Sequence, residues 1–322
     1  MKKVLVIRFS SLGDIILSTA VVRPLYEAGF SVDFLTLKPF DQIFIKDYRL
    51  RNIISPDKKE LKGFSIIKYR EKLKDYTYII DLHKNLRSYS LTLFNSGKKV
   101  RYKKNSIKRR AYTYPFFRKL IKNDFNVVKA YTDTLKKLGI KNSNYRPEVV
   151  ITEEEKEKAT YYLPEKYIVI GTGARYENKI YRRYDRVSEI LIKKGFNVVL
   201  VGSLEDKKID RNIYPEKVID LRGKLTVRES LAVISKACLT ISNDSAIAHM
   251  SRAVGTPVSV VFGATHPYFG FAPFKDEGIY LIKGVSCQPC DIHGKKTCKR
   301  KSNECLDISP EIIVDKSLSV IK

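Results

Sequence analysis

The chain has 322 residues, an apolar fraction of 43% and a formal net charge of +26. This length allows two domains with separate cores, and the apolar content excludes wholesale disorder. Because the sequence has no apolar run near the roughly 20 residues of a membrane span, and no cleavage site behind an apolar core, we expect a cytoplasmic protein.

The first half of the chain is predicted to alternate strands and helices. Short apolar runs predict strands at residues 3–9, 32–37 and 78–82. The apolar spacing between residues 14 and 27 predicts a helix directly after the first strand. Residues 98–114 have no clear period and are predicted to form a basic loop.

A second alternating series follows a segment rich in Asn, Ser and Pro at residues 142–147, which we interpret as a linker. After a predicted helix at 153–162, strands are predicted at 167–171, 197–202, 237–242 and 258–262. The alternation predicts the α/β fold class with parallel, covered sheets. We therefore divide the chain into domains 1–150 and 151–308, with a final helix at about 309–322 able to pack back on the first domain.

The positive charge is concentrated in the first half of the sequence. Residues 1–150 contain 33 Lys and Arg against 13 Asp and Glu, a net charge of +20, whereas residues 151–322 have 28 against 22, a net charge of +6. Nucleic acid, an anionic lipid surface and a multiply charged acceptor all fit such a field. The densest basic patch is Lys98, Lys99, Arg101, Lys103, Lys104, Lys108, Arg109 and Arg110.

The first candidate site is the segment Arg8-Phe9-Ser10-Ser11-Leu12-Gly13-Asp14, after the first predicted strand. Ligands of open α/β sheets bind at the carboxyl ends of strands, where helix N-termini present free N–H groups. Ser10, Ser11 and Gly13 are small enough for a phosphate or sugar to approach. Asp14 is a candidate general base for an acceptor hydroxyl, although capping a helix is the more common role at such a position.

Two further candidate segments follow strands of the second series. The turn Gly171-Thr172-Gly173 precedes Lys179, whose amine suits a diphosphate. Asp244 and Ser245 lie where a strand is predicted to meet a helix, a place that favours an anion. His249 follows one turn later on the same helical face. A structural His and a capping Asp-Ser pair are the common alternatives.

These segments are followed by Gly255-Thr256-Pro257 and Phe262-Gly263-Ala264-Thr265-His266-Pro267. In this order and spacing they resemble glycosyltransferase family nine, the heptosyltransferases of lipopolysaccharide inner-core assembly. The resemblance runs from residue 3 to about residue 315. It implies a GT-B architecture, in which two Rossmann-like domains face a central cleft and bind the acceptor and the donor, respectively.

The resemblance implies an inverting transfer of heptose from ADP-heptose to an anionic lipopolysaccharide precursor at the inner face of the cytoplasmic membrane, with Asp14 as general base. In this family pattern Lys179 holds the diphosphate with Thr172 beside it, and Glu205 contacts the ribose. The implied donor-binding residues are Ser10, Ser11, Gly13, Thr172, Gly173, Lys179, Glu205, Asp244, Ser245 and His249. The basic patch is implied to face the acceptor or the membrane. Ala246 stands where the family usually has Gly.

The sequence also bears on metals. It has no Asp-x-Asp pair, the usual carboxylate holder of a divalent ion on a diphosphate, so we expect transfer without a metal or other cofactor and with an ADP-sugar as co-substrate. One C-x2-C pair makes a structural zinc or iron–sulfur site conceivable in a four-cysteine cluster, although the later spacings fit no common zinc finger. Local scaffolding and disulfides are the alternatives. The cluster is Cys287, Cys290, Cys298 and Cys305.

Other functions remain open at this point. A basic nucleic-acid-binding protein fits the charge, although no recognisable reading helix is present. A nucleotide-sugar epimerase of the same fold keeps the donor site but needs no lipid acceptor. A family member that binds the sugar nucleotide without transfer is a further alternative, against which the intact Asp14 argues.

Overall fold

The computed structural model describes residues 1–61, 65–121, 125–141 and 146–321. The chain divides into two compact units. The first unit comprises Met1–Lys104 and Val127–Val150, and the second comprises Asn105–Asn126 and Ile151–Lys322. The predicted linker at 142–147 lies largely outside the described residues.

The first unit contains a five-stranded parallel sheet. Its strands are β1 (Lys3–Ile7), β2 (Ser31–Leu35), β3 (Leu50–Ile54), β4 (Tyr78–Asp81) and β5 (Lys98–Arg101). Their order across the sheet is β3-β2-β1-β4-β5. The central strand β1 has four buried residues in succession, as expected where helices cover both faces of a sheet.

The second unit contains a six-stranded parallel sheet. Its strands are β6 (Tyr167–Gly171), β7 (Asn197–Val201), β8 (Ile219–Asp220), β9 (Leu239–Asn243), β10 (Val258–Phe262) and β11 (Gly278–Ile282). Their order is β11-β10-β9-β6-β7-β8. In both sheets the strand order reverses at the centre, between β1 and β4 and between β6 and β9. Such reversals are the points where open α/β sheets bind ligands.

Short helices connect the strands. The α-helices of the described first unit are Leu12–Ser18, Val22–Glu27, Ser65–Lys72, Leu86–Leu91 and Val127–Thr132. Those of the described second unit are Ser106–Ala111, Pro115–Arg118, Glu153–Thr160, Tyr184–Lys193, Leu204–Ile209, Val227–Lys236, Ala246–Ala253 and Pro310–Leu318. The 3-10 helices are Thr19–Val21, Phe40–Phe44, Asp133–Leu138, Glu177–Lys179, Pro267–Phe269 and Glu304–Leu306.

The predicted α/β fold class is confirmed. The strands predicted at 167–171 and 258–262 have the observed bounds, and the other predicted strands differ by one or two residues at an end. The helix predicted from residue 14 to residue 27 is interrupted by the 3-10 turn Thr19–Val21.

Two local predictions were wrong. Residues 98–114 are not a loop, because they contain β5 and the helix Ser106–Ala111. β5 is an edge strand that pairs with β4 through backbone groups, so its polar composition concealed it. Moreover, the structure places the segment Asn105–Asn126, which lies inside the predicted first domain 1–150, in the second unit.

The final helix, Pro310–Leu318, also belongs to the second unit. Its Ile313 and Val314 are fully buried in the core that contains Leu191. The hydroxyl of Ser317 lies 2.8 Å from that of Ser259 on β10. The apolar face of this helix is therefore buried against its own unit.

Candidate functional site

Asp14 lies at the switch point of the first sheet, in the first turn of the helix that follows β1. Ser11, not Asp14, is the N-cap of the helix Leu12–Ser18. The backbone N–H and the hydroxyl of Ser11 donate to Oδ2 of Asp14 at 3.4 and 2.9 Å. Asp14 thus completes a capping box, while 22% of its side chain remains exposed.

Arg8 fixes the carboxylate of Asp14. Its Nη2 lies 2.8 Å from Oδ2 of Asp14, and its Nη1 donates to the carbonyl oxygen of Leu82 at 2.6 Å. Burial disfavours the charge of this guanidinium, but Asp14 and then the rings of Tyr131 and Tyr102 raise the pKa of Arg8 above its ordinary value. Arg8 therefore stays charged and orients Asp14, a partnership that the sequence motif contained but did not reveal.

In the second unit, Asn243 at the end of β9 organises the turn that follows β6. Its Nδ2 donates to the carbonyl oxygens of Thr172 and Gly173 at 2.9 and 3.3 Å. Its Oδ1 accepts from the backbone N–H of Tyr181 and from the hydroxyl of Tyr184 at 3.0 and 3.1 Å. Sequence reasoning treated Asn243 only as a neighbour of Asp244. The clue in the sequence is an amide side chain at the end of a buried strand, where every polar atom needs a hydrogen-bond partner.

Lys179 and Asp244 form a largely buried ion pair at the switch point of the second sheet. Lys179 Nζ lies 2.8 Å from Oδ2 of Asp244, and the two side chains are 14% and 8% exposed. Thr265 donates to the same oxygen at 2.8 Å. Burial favours the neutral acid, but Lys179 and then His249 hold the pKa of Asp244 below its ordinary value. The structure thus brings together a cation and an anion that were predicted from separate motifs.

Ser245 and His249 lie on the helix Ala246–Ala253 and its N-cap. Ser245 is the N-cap residue, and its hydroxyl lies 3.1 Å from that of Ser242. His249 is 6% exposed, and its ring centre lies 6.0 Å from that of Phe271. The predicted spacing of one helical turn is therefore present, with the His more deeply buried than the Ser.

A second group of polar side chains packs against Thr172 and Gly173. Arg222 donates to the hydroxyl of Thr172 at 3.2 Å and to Asp210 at 2.6 Å. A side chain at Gly173 would lie 1.9 Å from Oδ1 of Asp206, so packing alone requires glycine there. Arg222 was missed by sequence reasoning, because it follows the two-residue strand β8 rather than a recognisable motif.

The remaining predicted residues are more scattered. Ser10, Ser11 and Gly13 lie in the first unit, whereas the other candidate donor residues lie in the second. Glu205 is exposed in the first turn of the helix Leu204–Ile209.

The basic patch is divided between the two units, and some of its side chains are paired. Residues 98–104 belong to the first unit and residues 108–110 to the second. Arg101 lies 3.3 Å from Asp81, and the amine of Lys104 donates to the carbonyl oxygen of Lys84 at 2.6 Å. The exposed members are Lys98, Lys103, Lys108 and Arg110.

All five cysteines are free of disulfides. Burial, and then the neighbouring thiols of the cluster, raise the pKa of Cys290 and bring that of Cys305 to about 11. The thiols are thus near one another. Within the described ranges, however, no group of three or more Cys, His, Asp or Glu side chains is arranged to hold a metal ion.

Comparison with known proteins assigns the chain to a protein family. The model of glycosyltransferase family 9 (heptosyltransferase) matches residues 66–301. The chain belongs to this family. This family 9 glycosyltransferase is 23% identical over 295 residues to lipopolysaccharide heptosyltransferase 1 of Campylobacter coli, covering 83% of this chain and 85% of that protein. It is 28% identical over 144 residues to lipooligosaccharide heptosyltransferase 2 of Haemophilus influenzae, covering 41% of this chain and 40% of that protein.

A solved structure has the same fold. The ADP-heptose lipopolysaccharide heptosyltransferase II of Escherichia coli superposes with a TM-score of 0.73 at 18% identity, covering all of this chain and 98% of that one. The family match includes the Lys179–Asp244 pair but begins after Asp14. The family match therefore does not bear on the role of Asp14. For this glycosyltransferase, the evidence for that role is the geometry around the carboxylate, and mutation of Asp14 tests it directly.

Two half-buried imidazoles give the glycosyltransferase a predicted pH dependence. Burial and then Arg8 lower the pKa of His83 to about 3, and burial and Arg118 lower that of His266 to about 4. His266 Nδ1 also accepts the backbone N–H of Tyr268 at 3.0 Å, which requires an unprotonated nitrogen. Below the ordinary pKa of His, about 6.5, these two imidazoles bind protons in the unfolded chain but stay neutral in the folded chain.

We therefore expect the free energy of unfolding to fall as the pH is lowered from about 6.5, by up to about 1.4 kcal/mol per pH unit for each of these His residues. Urea unfolding followed by circular dichroism measures this slope. The His83→Gln/His266→Asn variant is expected to flatten it between about pH 6.5 and 5, above the carboxylate range. An unchanged slope in this variant would mean that both imidazoles titrate normally.

Proposed function

We propose that this glycosyltransferase transfers heptose from ADP-heptose to the inner core of a lipopolysaccharide precursor, with inversion and without a metal ion. The main observation in favour is the buried Lys179–Asp244 pair at the switch point of the second sheet, inside the region that matches the family. The names of the Campylobacter coli and Escherichia coli proteins support the sugar, the nucleotide and the acceptor.

In this proposal the second unit binds the donor. Lys179 provides a point charge for the diphosphate, and the backbone N–H groups after Ser245 face the same carboxyl edge of the sheet. Thr172 and Gly173 form the adjacent turn, which Asn243 holds in place. Asp244 and His249 are the residues proposed to bind sugar hydroxyls. The Lys179 amine and the backbone N–H groups after Ser245 stabilise the ADP as it departs, a role that a metal ion takes in metal-dependent enzymes.

The first unit provides the base in this proposal. An acceptor hydroxyl oxygen attacks the anomeric carbon, the bond from that carbon to the ADP oxygen breaks, and the hydroxyl proton passes to Asp14. A single displacement inverts the configuration at the anomeric carbon. Arg8 orients the Asp14 carboxylate. The hydroxyl becomes acidic as its bond to carbon forms, which is when its proton passes to the base.

The acceptor proposed here is multiply anionic and anchored in a membrane, which suits the net charge of +20 on residues 1–150. No helix in the described part of the chain is long and apolar enough to span a bilayer. Because the proposed acceptor is anchored there, we place the glycosyltransferase at the cytoplasmic face of the inner membrane as a peripheral protein.

Calorimetric titration with ADP, UDP and GDP in excess EDTA tests the donor half of this proposal. We expect ADP to bind most tightly and without a metal. Preference for UDP or GDP would keep the fold and overturn the donor. Binding that appears only when a divalent ion is restored would overturn metal independence.

A further inference from the structure

The segment Asn105–Ile121 of the second unit has one anchored face and one exposed face. It contains the helices Ser106–Ala111 and Pro115–Arg118, and none of their residues is fully buried. The proposed transfer reaction involves none of its apolar side chains.

Arg118 anchors the end of this segment. Its Nη1 donates to the carbonyl oxygens of Ser286 and Gln288 at 2.8 and 2.7 Å, and its Nη2 donates to that of Pro289 at 3.0 Å. Hydrogen bonds from a charged donor are stronger than those between neutral groups. The second helix is thereby fixed to the cysteine-containing loop of its own unit.

Aromatic contacts anchor the first helix. Tyr112 stacks on Tyr268, with ring centres 3.7 Å apart and planes 5° apart. The guanidinium of Arg109 lies 5.9 and 5.4 Å from the ring centres of Phe269 and Phe271. With these side chains turned towards the unit, the orientation of the remaining side chains is also fixed.

The other side chains of the segment expose an unusual amount of apolar surface. Single exposed apolar residues are normal on a protein, but a local concentration indicates an interaction surface. The five exposed residues, with their exposed fractions, are Ile107 (86%), Tyr114 (58%), Phe116 (74%), Phe117 (44%) and Leu120 (68%). We call these five the apolar docking surface.

The charged residues within this segment are all positive. Lys108, Arg110 and Lys119 are exposed, and the sequence has no Asp or Glu between Lys98 and Ile121. A second copy of the chain would bring two such surfaces into repulsion. Nucleic acid would use the charge but would leave aliphatic side chains such as Ile107 and Leu120 in water. An anionic bilayer accommodates both features, because its headgroups attract Lys and Arg while its interface accepts aromatic and aliphatic side chains.

We propose that the apolar docking surface inserts into the interfacial layer of an anionic membrane and holds the second unit there. This inference extends the proposed function by specifying which residues meet the membrane that carries the acceptor. It assigns the membrane contact mainly to side chains outside the basic patch. Phe116 and Leu120 enter the interface, and Lys108, Arg110 and Lys119 meet the lipid phosphates.

Flotation of the full chain with lipid vesicles tests the inference. The vesicles consist of phosphatidylcholine with or without phosphatidylglycerol, and contain neither acceptor nor sugar nucleotide. We expect binding that requires phosphatidylglycerol and weakens with salt. Moving a Phe or Leu side chain out of water lowers the free energy. Phe116→Ser/Leu120→Ser is therefore expected to lower the partition coefficient between vesicles and water about tenfold or more.

A matched control comes from the same unit. Tyr161 and Tyr162 are 77% and 90% exposed but lie outside the segment, so Tyr161→Ser/Tyr162→Ser is expected to bind vesicles like the wild type. Both variants should keep the wild-type circular dichroism and ADP affinity. Equal loss of binding in both variants, or no binding by the wild type, would overturn the inference. So would a wild-type dimer, detected by light scattering, that dissociates in the Phe116→Ser/Leu120→Ser variant.

Failure of the inference and failure of the proposed function are distinguishable. Vesicle binding needs no sugar transfer, so it survives if the donor or acceptor has been assigned wrongly. Conversely, transfer to an acceptor solubilised in detergent should be unchanged in Phe116→Ser/Leu120→Ser. Loss of that detergent activity would show that the surface binds the acceptor itself rather than the membrane.

Discussion

Asp14→Asn is expected to lower kcat for sugar transfer by about 10²- to 10⁴-fold, the usual contribution of a general base. The amide keeps the size of the side chain and an oxygen that accepts from Ser11, but it cannot take the acceptor proton. ADP affinity should stay within about twofold, because the ligands proposed for the diphosphate lie in the second unit. Single-turnover transfer and ADP calorimetry on the same preparation measure the two quantities.

A carboxylate elsewhere in the first unit provides the control for Asp14. Asp33 on β2 is buried and accepts from Arg51 Nε at 2.9 Å, so Asp33→Asn also breaks an Arg–Asp pair. We expect this variant to lose stability but to retain kcat. Should the two variants lose stability and activity in the same proportion, Asp14 would be a helix-capping residue and the reaction would need another base.

Lys179→Met is expected to weaken ADP binding by about 10- to 100-fold, the value of a hydrogen bond to a charged group. It should also lower the free energy of unfolding by about 3 kcal/mol, because Asp244 is left buried without its cation. Calorimetry and urea unfolding measure these losses separately.

The second substitution needed to separate the two roles of Lys179 is Asp244→Asn. In Lys179→Met/Asp244→Asn no unpaired charge remains, so we expect much of the stability to return while ADP binding stays weak. Lys283→Met is the matched control, since Lys283 lies 2.7 Å from Asp307 in a pair whose side chains are 33% and 65% exposed. Exposed pairs of this kind contribute about 0–1 kcal/mol. Wild-type ADP affinity in the double variant would remove Lys179 from the donor site.

Much of the fold could be predicted because buried parallel strands are almost continuously apolar. β6 and β10 are such runs, and their bounds follow directly from the sequence. β5 could not be predicted in this way, since it is stabilised by backbone pairing to β4 and carries three basic residues among four. The final helix was recognised, but its partner was not, because an apolar face does not identify the surface that covers it.

The candidate site shows the same division. Asp14, Lys179 and Asp244 were predicted from their places after strands, where parallel sheets collect functional groups. The contacts that organise them were not predicted. Arg8 is paired with a residue six positions away, and Asn243 bonds to carbonyl groups about seventy positions away. Such partnerships depend on tertiary packing, which periodicity does not record.

Transfer to a lipid acceptor tests the central proposal most directly. The glycosyltransferase is incubated in EDTA with ADP-heptose and a heptose-free lipopolysaccharide core, and the acceptor is analysed by mass spectrometry. We predict that the acceptor gains one heptose residue, and that Asp14→Asn slows this gain by about 10²- to 10⁴-fold. An unmodified acceptor under these conditions, together with transfer from a different nucleotide sugar, would contradict the proposal.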